Sequence, residues 1–214
     1  MISFNPESLS PDAVDQYTWS SMFVRSAPSS YDYLRFSKQD LEDGKESRHL
    51  INSISNAKRA LHLRLEDLCL GFGSRDLKKL KNSPQLLDYL RKCGIVSPNV
   101  LDRLNKLRND VEHYYEIPKL SEVEIFVDVT ELFLDATNRW RDRQPCEADY
   151  FQEVKTTSGI FCIVGLSFDW QEGIAKIKYR RKDAESRFAT SSLEFRSPSN
   201  EYFTCVRFLI SNNY

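Results

Sequence analysis

Arg108, Asn109 and His113 are the residues of this chain whose types and spacing best suit a chemical reaction. His113 is one of three histidines among 214 residues, and Arg108 lies five positions before it. At about 100° per helical residue, Asn109 and His113 are i,i+4 neighbours, and Arg108 flanks them. The sequence therefore predicts a polar strip at the end of a helix that begins near Ser97-Pro98. The strip lies beside an apolar seam of Val100, Leu104, Leu107 and Val111.

An arginine, a histidine and an amide are the groups that metal-independent cleavage of RNA requires. The 2′-hydroxyl must lose a proton as it attacks phosphorus, and the leaving 5′-oxygen must gain one; histidine can do either near neutral pH. A guanidinium holds two phosphate oxygens and offsets their developing charge. A purely structural interpretation is also open, in which Arg108 pairs with Glu112 on the surface and His113 acts as a weak cation at the helix C-terminus.

The elements that would position this strip are helical. Apolar residues recur every three or four positions over residues 45–70 and predict a long amphipathic helix, with Lys58, Arg59, Arg64 and Glu66 on its other faces. The apolar residues of that helix are Leu50, Ile54, Ala57, Leu61, Leu65 and Leu68.

Three more helices are indicated around it. Ser29-Ser30 begins one that ends near Gly44, and Pro84 begins a short one that Gly94 closes. Beyond a break at Ile117-Pro118, Ser121 and Glu124 form a capping box for a last long helix. Its buried face is predicted to comprise Val123, Phe126, Val127, Phe133, Leu134 and Trp140.

From about residue 150 the chain becomes rich in Phe, Tyr, Val, Ile and Thr. Alternating runs separated by turn-like pieces predict three to five antiparallel strands, with runs at Gly159–Ser167, Ile174–Tyr179 and Tyr202–Ile210. The predicted fold class is α+β, mainly an α-helical bundle of four to five helices followed by a small antiparallel β-rich C-terminal unit.

The sequence divides into three predicted parts. Residues 1–28 form an N-terminal segment of uncertain structure, in which Ser10-Pro11-Asp12 looks like a helix start. Residues 29–144 form the helical bundle, and residues 146–214 form the β-rich domain.

The six residues Arg108-Asn109-Asp110-Val111-Glu112-His113 resemble the signature of HEPN domains, the higher eukaryotes and prokaryotes nucleotide-binding superfamily. That signature is an arginine, four to six residues and a histidine, with a polar residue, often Asn, directly after the arginine. Tyr115 extends the match to the Arg-x4-His-x-Tyr form of HEPN toxins. The resemblance covers roughly residues 30–143 and does not reach the β-rich tail.

The resemblance implies a ribonuclease that works as a homodimer, leaves 2′,3′-cyclic phosphate ends and needs no metal ion or cofactor. Arg108 and His113 of both copies would line one composite site, where Arg108 stabilises the phosphorane-like transition state and His113 is the acid and base. Asn109 would position the phosphate or the imidazole. The alternative is a HEPN-type module that binds RNA, a nucleotide or a protein without cleaving.

Membership among the toxins or anti-phage defence effectors would bring a cognate antitoxin or a nucleotidyltransferase as partner. Tyr115 would then be the hydroxyl that receives adenylyl groups as a regulatory modification. A half-buried aromatic side chain that packs under the next helix is the other interpretation of Tyr115.

Three basic clusters, Arg75–Lys81, Arg139–Arg143 and Lys176–Lys182, are candidate contacts to an RNA backbone, although solvated faces are the ordinary interpretation of such clusters. Arg75, Lys78 and Lys79 follow the first long helix. Lys176, Lys178 and Arg180 share one face of a predicted strand, with Ile177 and Tyr179 on the other.

Composition excludes several classes of protein. A formal net charge of −1 does not suit a strongly basic protein that coats nucleic acid, and no apolar run approaches the ~18 residues of a membrane span. The N-terminus has no secretory pattern. Five scattered cysteines show no zinc-ligand spacing. We therefore expect a cytoplasmic protein without a metal site or a membrane partner.

Overall fold

The computed structural model describes residues 4–25, 27–75, 80, 82–95, 117–157, 159–182 and 190–211. Over these ranges the fold is mixed α+β, with one five-stranded antiparallel sheet, which confirms the predicted class. The α-helices are α1 (Ser30–Asp43), α2 (Ser47–Gly71), α3 (Ser83–Cys93), α4 (Leu120–Asp142) and α5 (Asn200–Ser211).

The long helix α2 is the centre of the helical part and packs against α1, α3 and α4. Its predicted apolar stripe is buried, as is the predicted face of α4. The prediction for Arg64 is wrong, because this side chain is buried with that stripe and only 1% of its surface is exposed.

Local signals fix most helix ends. Ser29 and Asp32 form a capping box at the start of α1, and Gly94 ends α3 with a left-handed φ of 75°. The predicted cap at Ser121 is wrong, because α4 already begins at Leu120. The carboxylate of Glu122 accepts a 3.0 Å hydrogen bond from the Lys119 amide there.

The sheet has the strand order β1-β2-β3-β4-β5, and each neighbouring pair is antiparallel. The predicted strands at Gly159–Ser167 and Ile174–Tyr179 are confirmed as β3 and β4. The strands are β1 (Val14–Ser20), β2 (Gln144–Thr156), β3 (Gly159–Asp169), β4 (Ile174–Arg181) and β5 (Ser191–Arg196).

The N-terminal segment belongs to this sheet. The predicted helix start at Ser10-Pro11-Asp12 is instead a single 3₁₀ turn over Pro11–Ala13 that leads directly into β1. β1 pairs with β2 from Val14 opposite Tyr150 to Ser20 opposite Gln144. β1, which precedes helices α1 to α4 in the chain, is thus an edge strand of the sheet, whereas β2 to β5 follow those helices.

The predicted strand over Tyr202–Ile210 is wrong, because this segment lies within helix α5. Its aromatic and β-branched content favours a strand locally. Tyr202, Cys205, Val206 and Leu209 are nevertheless buried at helical spacing. Ser199 begins the helix by accepting the Tyr202 amide at 3.2 Å. The packing of α5 against the sheet and α3 then favours the helix over the strand.

Phe72, directly after α2, joins the helices to the sheet. Its ring makes edge contacts with Trp140 of α4 at 5.6 Å and with Trp170 of the β3–β4 turn at 5.3 Å between centroids. Its carbonyl accepts hydroxyl hydrogen bonds from Tyr89 at 2.8 Å and Tyr202 at 3.0 Å. One continuous hydrophobic cluster therefore extends from the bundle into the sheet.

Candidate functional site

The predicted catalytic residues Arg108, Asn109 and His113 lie outside the residues that the structure describes, and so does Tyr115. The described helices nearest to them in sequence are α3, before the segment, and α4, after it. Lys78 and Lys79 of the first basic cluster also lie outside the described ranges.

Arg75, Lys176 and Lys178 of the basic clusters have acidic partners. Arg75 Nη2 lies 3.1 Å from Glu172 Oε2. On β4, Lys176 Nζ lies 3.1 Å from Glu194 Oε1, and Lys178 Nζ lies 3.7 Å from Glu147 Oε1. Arg180 interacts with another residue as well. The β4 lysines therefore lie on one strand face as predicted, among carboxylates from the neighbouring strands.

A different group of cations surrounds a pocket of about 330 Å³ between the start of α1 and helices α2 and α4. We call it the arginine pocket. The polar residues that line it are Arg25, Ser29, Ser30, Tyr31, Arg64, Asn138 and Arg141.

Arg64 is the most deeply buried of these cations. Its Nε donates a 2.8 Å hydrogen bond to Thr137 Oγ1 on α4, which fixes the plane of the guanidinium. Its Nη2 is buried and has no hydrogen-bond partner among the described residues. Burial lowers the pKa of the Arg64 guanidinium, whereas Tyr31 and Asp67 raise it and the positive charge of Arg141 lowers it further. Arginine stays protonated in proteins, so a charged N–H group here lacks an acceptor.

Two carboxylates beside the pocket contact Arg25. Arg25 Nη1 lies 2.8 Å from Glu66 Oε2, and its Nε lies 3.3 Å from Asp67 Oδ1. Neither carboxylate oxygen of Asp67 has a partner with hydrogen-bond geometry in the described part of the chain. Burial raises the pKa of Asp67 to about 6, although Arg25 and Arg64 lower it. The charge of Arg25 is thus compensated locally.

The first turn of α1 forms the opposite wall. The positive end of the α1 dipole lies there, and the Asp32 carboxylate of the capping box already accepts the Ser29 amide at 2.9 Å. Ser30 Oγ is buried without a hydrogen-bond partner among the described residues. Tyr31 Oη donates a 3.0 Å hydrogen bond to Asp135 Oδ1, and burial together with this bond raises the pKa of Tyr31 to about 12. The phenol therefore stays neutral.

Arg141, on the last turn of α4, is exposed and has no ion-pair partner within the described ranges. With Arg64 and the α1 N-terminus it surrounds one volume with donors and positive charge. This arrangement suits an oxyanion, because guanidinium forks and helix N-termini are the usual protein ligands of phosphate. No cluster of three potential metal ligands occurs among the described residues.

Sequence reasoning overlooked Arg64, although a signal was present. Arg64 is three residues after Leu61 and four before Leu68, which places it inside the apolar stripe of α2. An arginine at such a position must find a polar partner or a ligand when the stripe packs.

Comparison of the chain with protein-family models, with curated proteins and with solved structures gave no match. Within the described ranges, the helices are too short or too polar for any of them to cross a membrane.

Proposed function

We propose that the protein is a metal-independent endoribonuclease of the HEPN type that acts as a homodimer. The observation that supports this proposal is the motif Arg108-x4-His113 and its place in the chain. The motif follows α3 and precedes Pro118 and the 23-residue helix α4. The resemblance to HEPN domains implies the same order, with the motif near the end of a late helix and another long helix after a short break.

The chemistry is transesterification. His113 of one copy takes the proton of the 2′-hydroxyl as the oxygen attacks phosphorus, and His113 of the other copy protonates the leaving 5′-oxygen. Arg108 offsets the charge on the phosphoryl oxygens, and Asn109 orients the phosphate or the imidazole. The products are a 2′,3′-cyclic phosphate and a 5′-hydroxyl.

The biological role that fits such an activity is that of a toxin or an anti-phage defence effector. The partner would be a cognate antitoxin or a nucleotidyltransferase that modifies Tyr115. Mass spectrometry of the protein after co-expression with a nucleotidyltransferase encoded beside it would test this role. An adenylyl adduct on Tyr115 supports it, and an unmodified Tyr115 in an inhibited protein contradicts it.

The test of the activity is RNA cleavage in EDTA by the wild type, Arg108→Ala and His113→Ala. We expect His113→Ala to lose about 10²- to 10⁴-fold of the rate, as is typical when a general acid or base is removed. Arg108→Ala should lose about 10²- to 10³-fold, as is typical when a group that stabilises transition-state charge is removed. His62→Ala is a matched control, because His62 is a half-exposed histidine that contacts Ser83 and Glu66.

Circular dichroism and size-exclusion chromatography must show that the variants remain folded and dimeric. Cleavage that survives either substitution would contradict the proposal. A wild type that binds RNA and leaves it intact would support the non-catalytic binding module instead.

A further inference from the structure

We propose that the arginine pocket binds the phosphate group of a small phosphorylated molecule, about the size of a nucleoside monophosphate. This site is formed by Arg64, Arg141, Ser30 and the first turn of α1. It is independent of the proposed nuclease chemistry, which uses Arg108 and His113.

The unpartnered Nη2 of Arg64 is the first reason. Removing a charged donor from water without giving it an acceptor is unfavourable, so buried guanidinium groups are normally paired. Glu66 and Asp67, the carboxylates next to it on α2, both contact Arg25. Thr137 Oγ1 accepts the hydrogen bond of Arg64 Nε and so orients the guanidinium group. An acceptor bound in the pocket would give the remaining N–H groups of Arg64 a partner.

The opposite wall provides the second reason. Ser30 is only 1% exposed, and its buried Oγ lacks a partner among the described residues. It lies at the first position of a 14-residue helix, whose N-terminus attracts negative charge. Ser30 and Arg64, which come from different helices, therefore both line the pocket. Each has a buried polar atom, Ser30 Oγ and Arg64 Nη2, without a hydrogen-bond partner among the described residues.

Charge at the rim is consistent with an anion. Arg141, on the last turn of α4, lines the same pocket as Arg64 and has no ion-pair partner in the described ranges, so that its guanidinium is available to a ligand. Two carboxylates lie on the α1 side of the pocket, and both already accept hydrogen bonds: Asp135 from the Tyr31 hydroxyl, and Asp32 from the amide and hydroxyl of Ser29. Tyr31 and Asn138 are left to contact the remainder of the ligand.

The volume favours a small molecule over a polymer. Pockets for small ligands have volumes of about 300–1,000 Å³, and 330 Å³ is at the lower end of that range. A polynucleotide is usually bound along an extended groove with several phosphate contacts, whereas one enclosed pocket holds one phosphate.

The test is isothermal titration calorimetry of the full chain with orthophosphate, ribose 5-phosphate and AMP. We expect Arg141→Ala to weaken binding of each about tenfold, and Arg64→Met at least as much, because each removes a charge-assisted hydrogen bond. Arg48→Ala is the control, since Arg48 is an α2 arginine that is 76% exposed and lies outside the pocket. It should bind like the wild type.

A fourth titration uses a short single-stranded RNA and the His113→Ala chain, so that cleavage does not consume the ligand. Tighter binding of AMP than of orthophosphate supports a site that also holds the nucleoside, and equal binding supports a site for the phosphate group alone. Binding of RNA without binding of any small phosphate overturns the proposal. Equal affinities of wild type and Arg141→Ala also overturn it, even if Arg64→Met fails to fold. Neither result affects the cleavage test, which depends on other residues.

Discussion

Two basic regions within the described part of the chain differ in how their charge is compensated. On β4, Lys176 and Lys178 are 40% and 48% exposed, and each has a carboxylate within 4 Å. In the arginine pocket, Arg64 is 1% exposed, and its Nη2 has no acceptor among the described residues. Clustering of basic residues along the sequence marks the first region. In the second region it marks Arg141, within Arg139–Arg143, but misses the buried Arg64.

Neighbours that are distant in sequence cause this difference. Glu194 lies directly opposite Lys176 in the β4–β5 register, and Glu147 reaches Lys178 from β2. Arg64 is brought beside Arg25 and Arg141 only by the packing of α2 against the start of α1 and against α4. A cation on an open sheet face can take a partner or water, whereas a cation between helices depends on what the pocket provides.

The largest expected effect is the loss of stability of Arg64→Ala. This change leaves a cavity between α2 and α4 and removes a cation near the buried Asp67, so that we expect a loss of about 3 kcal/mol in the free energy of unfolding. Arg64→Met keeps most of the volume and removes the unpaired charge, so its loss should be about 1 kcal/mol or less. Urea denaturation of the two variants and the wild type measures both values.

Equal losses for the two Arg64 variants would contradict this difference between the regions. They would mean that the charge of Arg64 is well compensated in the free protein and stabilises it. The pocket would then resemble the β4 face, with its cations already paired.

The next effect is a dependence of stability on pH that comes from Asp67. Because burial raises its pKa to about 6 in the folded state, folded Asp67 keeps its proton at pH values where the unfolded chain has lost it. Its favourable contribution is present below about pH 4 and is lost as the pH rises through about 6. Relative to Asp67→Asn, the wild type should lose about 2 kcal/mol between pH 4 and pH 8.

Urea denaturation at pH 4, 6 and 8 gives the difference in the free energy of unfolding between Asp67→Asn and the wild type. A difference that stays constant with pH would show that Arg25 and Arg64 compensate the Asp67 carboxylate fully. Glu153→Gln on β2, whose carboxylate pairs with Lys182 at an exposed position, provides the comparison with an exposed carboxylate.

Local patterns predicted the elements whose signals lie within one segment. The stripes of α2 and α4, the cap of α1 and the glycine after α3 all agree with the structure. The strand β1 and the helix α5 were not predicted, because contacts that are remote in sequence determine both. β1 forms by pairing with β2, and α5 forms by packing against the sheet.

The two candidate sites differ in the same way, one being local in sequence and the other formed by remote contacts. The motif around His113 is local in sequence and could be proposed from spacing alone, although it lies outside the described residues. The arginine pocket takes its residues from three segments that are far apart in the chain. Its sequence signals were the cluster Arg139–Arg143, which contains Arg141, and the position of Arg64 within an apolar stripe, which sequence reasoning had assigned to another face of α2.

The smallest expected effect belongs to the β4 face. Exposed ion pairs contribute about 0–1 kcal/mol, so Lys178→Ala and Lys176→Ala should each change the free energy of unfolding by less than about 0.5 kcal/mol. Because both lysines have carboxylate partners, we also expect each change to weaken RNA binding by the His113→Ala chain less than twofold. A filter-binding titration at two salt concentrations measures this. A large loss with a reduced salt slope would mean that RNA displaces Glu147 and Glu194, since each phosphate contact adds to that slope. The β4 face would then be the nucleic-acid surface, with its carboxylates acting as competitors for the lysines.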